Sequence, residues 1–305
     1  MFLGAGRKFR ALIFCTNRSH YQHAQDTVRP LSLAQAHEPS MPQPALTCFI
    51  IAKNEVDRIA ATIRSVSGWV DEVVVVDSGS TDGTQALAES LGARVIFNAW
   101  PGFGQQKRFA EDQCRNDWLF NLDADEVVPE ALRLEIMALF ATGPPPLAAY
   151  GVDDLVVYPG YSKPRAFARD HFFYRLYDRR RVRFADSTLF DNVTIGREPV
   201  GHLSQPLYHF SVRSLDDLIA KCDERARYNA ANAKKKSRAI LALRLVTEFP
   251  MSFLKYYFVR THVTGGLMGF QYAMILAFYR FIRVVRMFAG SAKTGINLNV
   301  NRPSA

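Results

Sequence analysis

Trp118-Leu119-Phe120-Asn121-Leu122-Asp123-Ala124-Asp125-Glu126 decides how the rest of the chain is read. A run suited to a buried strand ends directly in three acids. In an open α/β sheet, ligands bind outside the carboxyl ends of the strands, so this run delivers oxygen ligands to that edge. Asp123 and Asp125 lie two apart, and where a strand ends the backbone can turn both toward one ion. Hard oxygen ligands suit Mg²⁺ or Mn²⁺, which proteins hold with one or two carboxylates plus substrate phosphates. For a lone D-x-D, a solvated acidic turn is the plain alternative.

The upstream residues change that balance. Leu46–Ala52 is a continuous apolar run, a candidate buried parallel strand, with Lys53-Asn54-Glu55 at its carboxyl end. Ile59, Ile63 and Val66 recur at helical spacing over 57–67, and Gly68 closes that helix. Glu72–Val76 reads as a second strand, Asp77–Thr84 as a turn of small polar residues, and Gln85–Leu91 as a helix. Ala93–Phe97 is a third strand. Strand, helix, strand, helix, strand is the pattern of a parallel sheet with crossover helices. A helix over Gln105–Cys114 precedes the fourth strand, Trp118–Leu122. Pro129 opens a helix over Glu130–Thr142, and Gly143-Pro144-Pro145-Pro146 stops it. Short strands with aromatic and Arg-rich loops are expected over 148–210, then a polar helix over 214–236 capped by Ser214. Residues 1–44 read as an irregular extension, with Met41 a candidate true start. An α/β domain is expected over 45–236, amphipathic helices over 237–290, and a tail over 291–305.

With 305 residues, 48% of them hydrophobic, the chain can bury a full core. Its net charge of +9 is uneven: from Arg225 onward fourteen Lys and Arg face one acid, Glu248. That asymmetry points to an anionic surface as partner. Leu267–Tyr279 is uncharged but too short to span a bilayer. Arg280, Arg283 and Arg286 follow on one helical side, and Gly265-Gly266 separates two helical stretches. The pattern predicts a helical hairpin in a membrane interface, apolar face in lipid and these arginines at head groups. The alternative is an amphipathic helix packed on the protein's own sheet. Basic residues interleaved with long aliphatics argue against nucleic acid. Cys15, Cys48, Cys114 and Cys222 have no metal or redox spacing, which fits a reducing compartment, and residues 1–20 make a poor signal peptide.

Three strand ends thus carry acids: Glu55, Asp77 with Asp82, and Asp123 with Asp125. Each alone has a local explanation as a helix start, turn or cap residue; their shared register is harder to explain so. Phe49–Glu55, Val75–Thr84 and Leu122–Glu126, with their spacing, resemble the inverting glycosyltransferases of family 2. The likeness covers residues 46–290 and is greatest to the lipopolysaccharide-core branch, whose members append an apolar basic C-terminal segment. It implies a GT-A (nucleotide-diphospho-sugar transferase-like) fold, with a mostly parallel sheet, flanking helices and C-terminal amphipathic helices. Its donor half would be 45–143 and its acceptor half 144–236. It further implies that Glu55 and Asp77 contact the uracil and ribose of a UDP-sugar and that Asp123 approaches the ribose. Asp125 would ligate an Mg²⁺ or Mn²⁺ ion bridging the diphosphate. His209 would complete the coordination or meet the phosphate, and Lys107 would lie near the phosphates. Lys107 on a solvated helix face and His209 as a satisfied core residue are the plain alternatives. Arg175 and Arg179–Arg183 either clamp phosphates or form a structural face.

Departure of a nucleoside diphosphate develops negative charge that a divalent cation stabilises. The acceptor hydroxyl must lose its proton to a positioned base, and a single in-line displacement inverts the anomeric centre. The related branch has a His-Glu pair after its Arg-rich strands, where this chain reads Leu189-Phe190-Asp191-Asn192. Asp191 is therefore the candidate base and Asp186 the fallback. The missing pair also motivates a second reading, a non-catalytic membrane-bound sugar-nucleotide scaffold or sensor. A nucleotidyltransferase is a third, but Lys53-Asn54-Glu55 is not the Gly-rich triphosphate loop it needs. Gln105–Phe109 superficially matches the Q-x-x-R-W of processive synthases, yet it precedes the D-x-D and ends in Phe, so transfer of one hexosyl unit is expected. The expected acceptor is lipid-linked or lipopolysaccharide-core, and the expected location is peripheral, on the cytoplasmic face of the inner membrane.

Overall fold

The acid-bearing strand lies in the interior of the sheet. The computed structural model describes residues 43–293 except 169, 189 and 235, with side chains as far as 290. The expected N-terminal extension, the start at Met41 and most of the tail fall outside the described residues. In order come β1 (Leu46–Ala52), α1 (Ile59–Val66), β2 (Glu72–Asp77), α2 (Thr84–Ser90), β3 (Arg94–Phe97), α3 (Phe103–Gln113) and β4 (Trp118–Asp123). The strands lie β3-β2-β1-β4, all parallel. β2 and β3 add on one side of β1 and β4 on the other, so the order reverses between β1 and β4. Such a switch point leaves a crevice where ligands bind. Register pairs Ala52 with Asp77 and Ile51 with Asp123, so the acid-bearing loops leave one edge of the sheet.

The apolar continuity of β1 follows from burial on both faces. Leu46, Cys48 and Ile50 pack in one cluster with Ile59, Ile63 and Val66 of α1. Phe49 packs on the opposite side with Ala110 of α3 and Phe184. Burying an Ile, Leu or Phe side chain contributes about 1.5–3 kcal/mol. The i, i+4, i+7 spacing on α1 is thus what turns that helix onto the sheet.

Beyond β4 come β5 (Glu126–Val127), α4 (Glu130–Phe140), β6 (Ala149–Val156), β7 (His171–Asp178), β8 (Arg183–Phe184), β9 (Val193–Thr194), β10 (Val200–His202) and β11 (Leu207–His209). β6 and β7 have eight residues each, longer than the short strands expected there. β7 pairs antiparallel with β4 and β6, and the sheet continues β4-β7-β6-β11-β5. The three residues of β11 fit between β6 and β5, with His209 opposite Glu126. That insertion carries a late histidine back to the acid-bearing turn.

The last elements are helices: α5 (Leu215–Ala231), α6 (Arg238–Leu254) and α7 (Gly266–Lys293). Ser214 caps α5, its Oγ accepting from Asp217 N at 3.1 Å. A π-helical turn (Lys255–Val259) and a 3₁₀ turn (His262–Gly265) fold α7 back along α6, as contacts from Phe253 to Phe270 and from Glu248 to Arg280 show. Among the described residues no helix is long and apolar enough to cross a membrane. The expected orientation of the three arginines is corrected. Arg280 and Arg283 reach Glu248 at 3.1 and 3.7 Å, and Arg286 reaches Asp223 at 2.5 Å. Glu248 is only 9% exposed, and a buried carboxylate needs cationic partners, so these arginines bind α7 to its neighbours rather than facing head groups. The outer face carries Leu243, Val246 and Leu254 of α6, Phe258 and Val259 of the turn, and Leu267 of α7, all exposed.

The turn into α7 winds tightly around Tyr158. A Cβ on Gly269 would lie 1.9 Å from the His262 carbonyl oxygen, and one on Gly265 2.5 Å from the Tyr158 ring. His262 packs against both Tyr158 and Tyr272, and its Nδ1 lies 2.6 Å from the Tyr158 hydroxyl. Burial, reinforced by the charge of Arg165, pushes its pKa down to about 4. His262 is therefore neutral in the folded protein, whereas an unfolded histidine titrates near 6.5. The unfolded state binds the proton more readily, so this stability is complete above pH 6.5 and is lost as pH falls toward 4. We expect the chain to lose about 2–3 kcal/mol more over that window than His262→Gln does, in parallel urea unfolding series. Curves of equal slope for the two proteins would contradict this.

Candidate active site

The loops after β1 and β2 are laced together by their own polar side chains. Asn54 adopts the left-handed conformation (φ 56°), its N–H donates to Ser80 Oγ at 2.8 Å, and its Oδ1 accepts from Thr81 N at 2.9 Å. Glu55 N donates to Thr84 Oγ1 at 2.8 Å and Val56 N to Asp82 Oδ2 at 3.1 Å. Asp82, which also accepts from Thr84 N at 3.0 Å, is thus a turn residue. Asp77 departs from its expected donor contact. Its carboxylate accepts from Gly79 N, Ser80 N, Ser80 Oγ and Gln85 Nε2 and is wholly buried. It faces its own loop, which it shapes, and not the crevice.

The remaining predicted acids are brought together through a chain of cations. Glu55 Oε2 accepts from Arg58 Nε at 2.8 Å and lies 3.2 Å from an Arg213 nitrogen. Burial pushes its carboxyl up, with Arg58 opposing the shift. Arg58 also reaches Asp125 Oδ2 at 2.9 Å and the carbonyl of Phe210 at 3.1 Å. Asp123 lies 2.9 Å from Lys107 Nζ and 3.2 Å from Arg175. Burial works against its charge, but Lys107 and Arg175 outweigh it and hold the carboxyl well below the usual carboxylate range. Arg175 in turn pairs with Glu126 and donates to Asn121 Oδ1 at 2.8 Å.

His209 occupies the gap between two acids. Its Nε2 is 3.4 Å from Asp125 Oδ1 and its Nδ1 is 3.0 Å from Asp154 Oδ2. Burial alone would lower its pKa, but hydrogen bonds to Asp125 and Asp154 push it up to about 11. Asp125 and His209 side chains keep 17% and 20% exposure, whereas Asp154 has none, and its Oδ1 has no hydrogen-bond partner. A carboxylate behind the far nitrogen of an imidazole is how proteins orient a metal-binding histidine. Oxygen with imidazole nitrogen suits Mn²⁺, and the carboxylates suit Mg²⁺. The residues therefore fit a divalent cation at Asp125 and His209, which would take the place of the proton that His209 Nε2 presents to Asp125. A second grouping, Glu126, Asp154 and His209, also brings one atom from each within 4.8 Å. Glu126 is occupied by Arg175 and by Asp123 N, so we treat that grouping as the buried support behind the accessible pair.

Lys107 is not on a solvated helix face. It is 1% exposed and lies 2.9 Å from both Asp123 and Asp191, joining the D-x-D turn to the loop of the candidate base. That loop docks on the start of α3 through two glycines. Gly104 N donates to Ser187 O at 2.9 Å. A Cβ on Gly104 would lie 2.3 Å from Ala185 O and 2.5 Å from Phe190 O, and one on Gly102 2.4 Å from Thr188 Cα. Asp186 instead lines a groove with Arg108 and Arg179–Arg183. Arg179–Arg183 are held by Glu111, Asp112, Asp117, Asp178 and Glu198 and Arg108 by the Phe184 carbonyl, whereas Arg175 pairs with the acids of the site.

Sequence reasoning missed Arg58, Asp154 and Arg213. Asp154 left a trace: Asp153-Asp154 interrupts an apolar strand, and strand alternation turns one of the two inward. Arg58 stands three residues after Glu55, within reach across the start of a helix.

An acid-ended strand at a switch point, with a histidine returned to it, is the arrangement that the GT-A resemblance implies. A family model, glycosyl transferase family 2, matches residues 47–197. An uncharacterized glycosyltransferase of Rickettsia felis is 39% identical over 251 residues, 79% of this chain and 89% of its own length. LpsC of Rhizobium meliloti, a lipopolysaccharide core biosynthesis glycosyltransferase, is 30% identical over 257 residues, 81% of this chain and 93% of its own. A solved glucosyl-3-phosphoglycerate synthase from Mycobacterium tuberculosis is 27% identical, covering 37% of this chain and 44% of its own at a TM-score of 0.31; a match that partial carries no part of the argument. The chain belongs to glycosyl transferase family 2, and it is a glycosyltransferase.

Gly104→Ala tests the docking of the Asp191 loop. Alanine is the better helix former by about 1 kcal/mol, yet here its Cβ meets backbone oxygens that cannot swing aside. Overpacking of that kind costs about 1–3 kcal/mol, and urea unfolding should show the loss. Equal or greater stability would mean that the loop is not held against α3.

Proposed function

We propose that the enzyme transfers one hexosyl unit from a UDP-sugar, with inversion, to a lipid-linked or lipopolysaccharide-core acceptor. The reading rests above all on the Asp125–His209–Asp154 arrangement, which suits a divalent cation beside the switch point. Asp125 and His209 would hold Mg²⁺ or Mn²⁺, with Asp154 orienting the imidazole. Such a cation neutralises a diphosphate as it leaves. Glu55, fixed by Arg58 and Arg213, and Asp123, fixed by Lys107 and Arg175, contact the donor nucleoside. Asp77 supports them by shaping the loop. Asp191 borders a cavity of about 190 Å³ with Phe172, Arg175 and Phe184. An acceptor hydroxyl there gives its proton to the Asp191 carboxylate while its oxygen attacks the anomeric carbon.

Two further observations support the acceptor class. The name of LpsC concerns the lipopolysaccharide core. The exposed apolar face of the α6–α7 hairpin suits a peripheral seat on an anionic bilayer, which we place at the cytoplasmic face of the inner membrane. Lys234, Lys236 and Lys255 are exposed on the same segment and take the head-group role first expected of Arg280, Arg283 and Arg286.

Calorimetry of UDP with Mn²⁺ should give saturable, metal-dependent binding. Asp125→Ala should abolish it and Asp154→Asn weaken metal affinity by about 10–100-fold. No metal-dependent UDP binding by the wild-type chain would end the proposal. Asp191→Asn should lower kcat by about 100-fold or more with UDP affinity within about twofold; a kcat near wild type would remove Asp191 as the base. Phe258→Glu with Leu267→Glu should weaken binding to vesicles of phosphatidylglycerol and phosphatidylethanolamine by at least about tenfold. Undiminished binding would detach the hairpin from the membrane.

A further inference from the structure

The resemblance to family 2 places Lys107 near the donor phosphates, but its surroundings leave it little to offer them. An ammonium group has three N–H donors. Its Nζ lies 2.9 Å from Asp123 Oδ1 and 2.9 Å from Asp191 Oδ2. The Phe184 ring covers a further side, with its centroid 5.2 Å away, within the range of a cation–π contact. The side chain is 1% exposed, so water takes almost no share. The two carboxylates do not depend on Lys107 equally. Asp123 has a second cation, Arg175, at 3.2 Å. Among the described residues, the Asp191 carboxylate has no second bonding partner. Lys107 holds its Oδ2 alone, which leaves Oδ1 to accept another bond. The Asp191 side chain is 39% exposed and borders the cavity of about 190 Å³ that residues of β7, β8 and β9 also line. Gly102 and Gly104 bring the backbone of the Asp191 loop against α3. Lys107, one turn further along that helix, is in place to fix the side chain.

We propose that Lys107 is a positioning residue for the base, acting through Asp191 and not on the donor diphosphate. The inference rests on the proposed function, in which Asp191 takes the acceptor proton. An activated nucleophile needs a base that a third group orients, and Lys107 is that group. The proton of the acceptor hydroxyl passes to Asp191 Oδ1 as the hydroxyl oxygen bonds the anomeric carbon. The bond from that carbon to the diphosphate breaks, and its electron pair leaves with UDP. A displacement of about 1 Å can cost such a step about 100-fold. Because the same ammonium touches Asp123, it also sets the base at a fixed reach from the donor side of the site.

The test is a double-mutant cycle on the full chain. Turnover is read as UDP released from UDP-glucose and UDP-galactose with water as the acceptor, and binding by calorimetry of UDP with Mn²⁺. Lys107→Gln should lower kcat by about 10–100-fold yet leave UDP affinity within about threefold, because Arg175 still holds Asp123. Asp191→Asn should lower kcat by about 100-fold. The double variant should fall no more than about threefold below Asp191→Asn alone, since residues that act as a unit are not additive. Thermal unfolding verifies that Lys107→Gln folds; Lys107→Met repeats the cycle if it does not. Losses that multiply in the double variant overturn the inference, as does a Lys107→Gln kcat within about twofold of wild type. A lysine that binds the diphosphate would show instead as UDP affinity weakened by about tenfold or more in Lys107→Gln, and that result also overturns it. Wild-type binding of UDP with no release from either sugar nucleotide would leave no base to position, with the same consequence. UDP binding with multiplying losses sinks this inference alone. No metal-dependent UDP binding by wild type sinks the proposed function and this inference with it.

Discussion

Asp123, Asp125 and Glu126 leave the end of β4 within four residues; Glu126 is fully buried and the two aspartates are partly so. Taking a carboxylate out of water costs several kcal/mol unless a cation compensates it, and three so close also repel one another. Each is compensated from a different element. Lys107 comes from α3, Arg175 from β7, Arg58 from the entry to α1, and His209 from β11. The charge balance of one turn therefore fixes the relative positions of the parallel strands, the antiparallel extension and the last short strand. Removing one partner of such a buried pair typically costs about 3–5 kcal/mol, so the residues that position the chemistry also hold the two parts of the sheet together.

The same balance explains what could be read from the sequence. β1 to β4 and their helices are local statements. Apolar runs gave the strands, i, i+4, i+7 spacing gave α1, and parallel register put Ala52, Asp77 and Asp123 on one edge. The cations were less legible because they lie far along the chain from their acids. Nothing in Gln105-Gln106-Lys107-Arg108 announces burial, since Lys107 is buried among groups distant in sequence, the carboxylates of Asp123 and Asp191 and the ring of Phe184. Asp77 shows the opposite error. It looks like its neighbours at the other strand ends, but Gly79, Ser80 and Gln85 supply backbone N–H, hydroxyl and amide donors at close range. Its carboxylate is satisfied before it reaches the crevice.

Arg280, Arg283 and Arg286 show a further kind of limit. Helical period correctly puts them on one side of α7, but period cannot say what that side faces. Glu248 decides it. As the one acid after Arg225, it is nearly buried between α6 and α7 and draws Arg244, Arg280 and Arg283 toward it. With the arginines turned inward, the other faces of the hairpin are left to Val246, Val259 and Leu267, each more than 70% exposed. A helical hairpin in water places its charges outside and its aliphatics inside; here Glu248 and its arginines meet between the helices while these aliphatics face outward. Exposed apolar surface on that scale is stabilised only when something other than water covers it. The membrane reading thus depends on the inward pull of a single glutamate, which is a stronger basis than the basic charge of the segment from which it was first drawn.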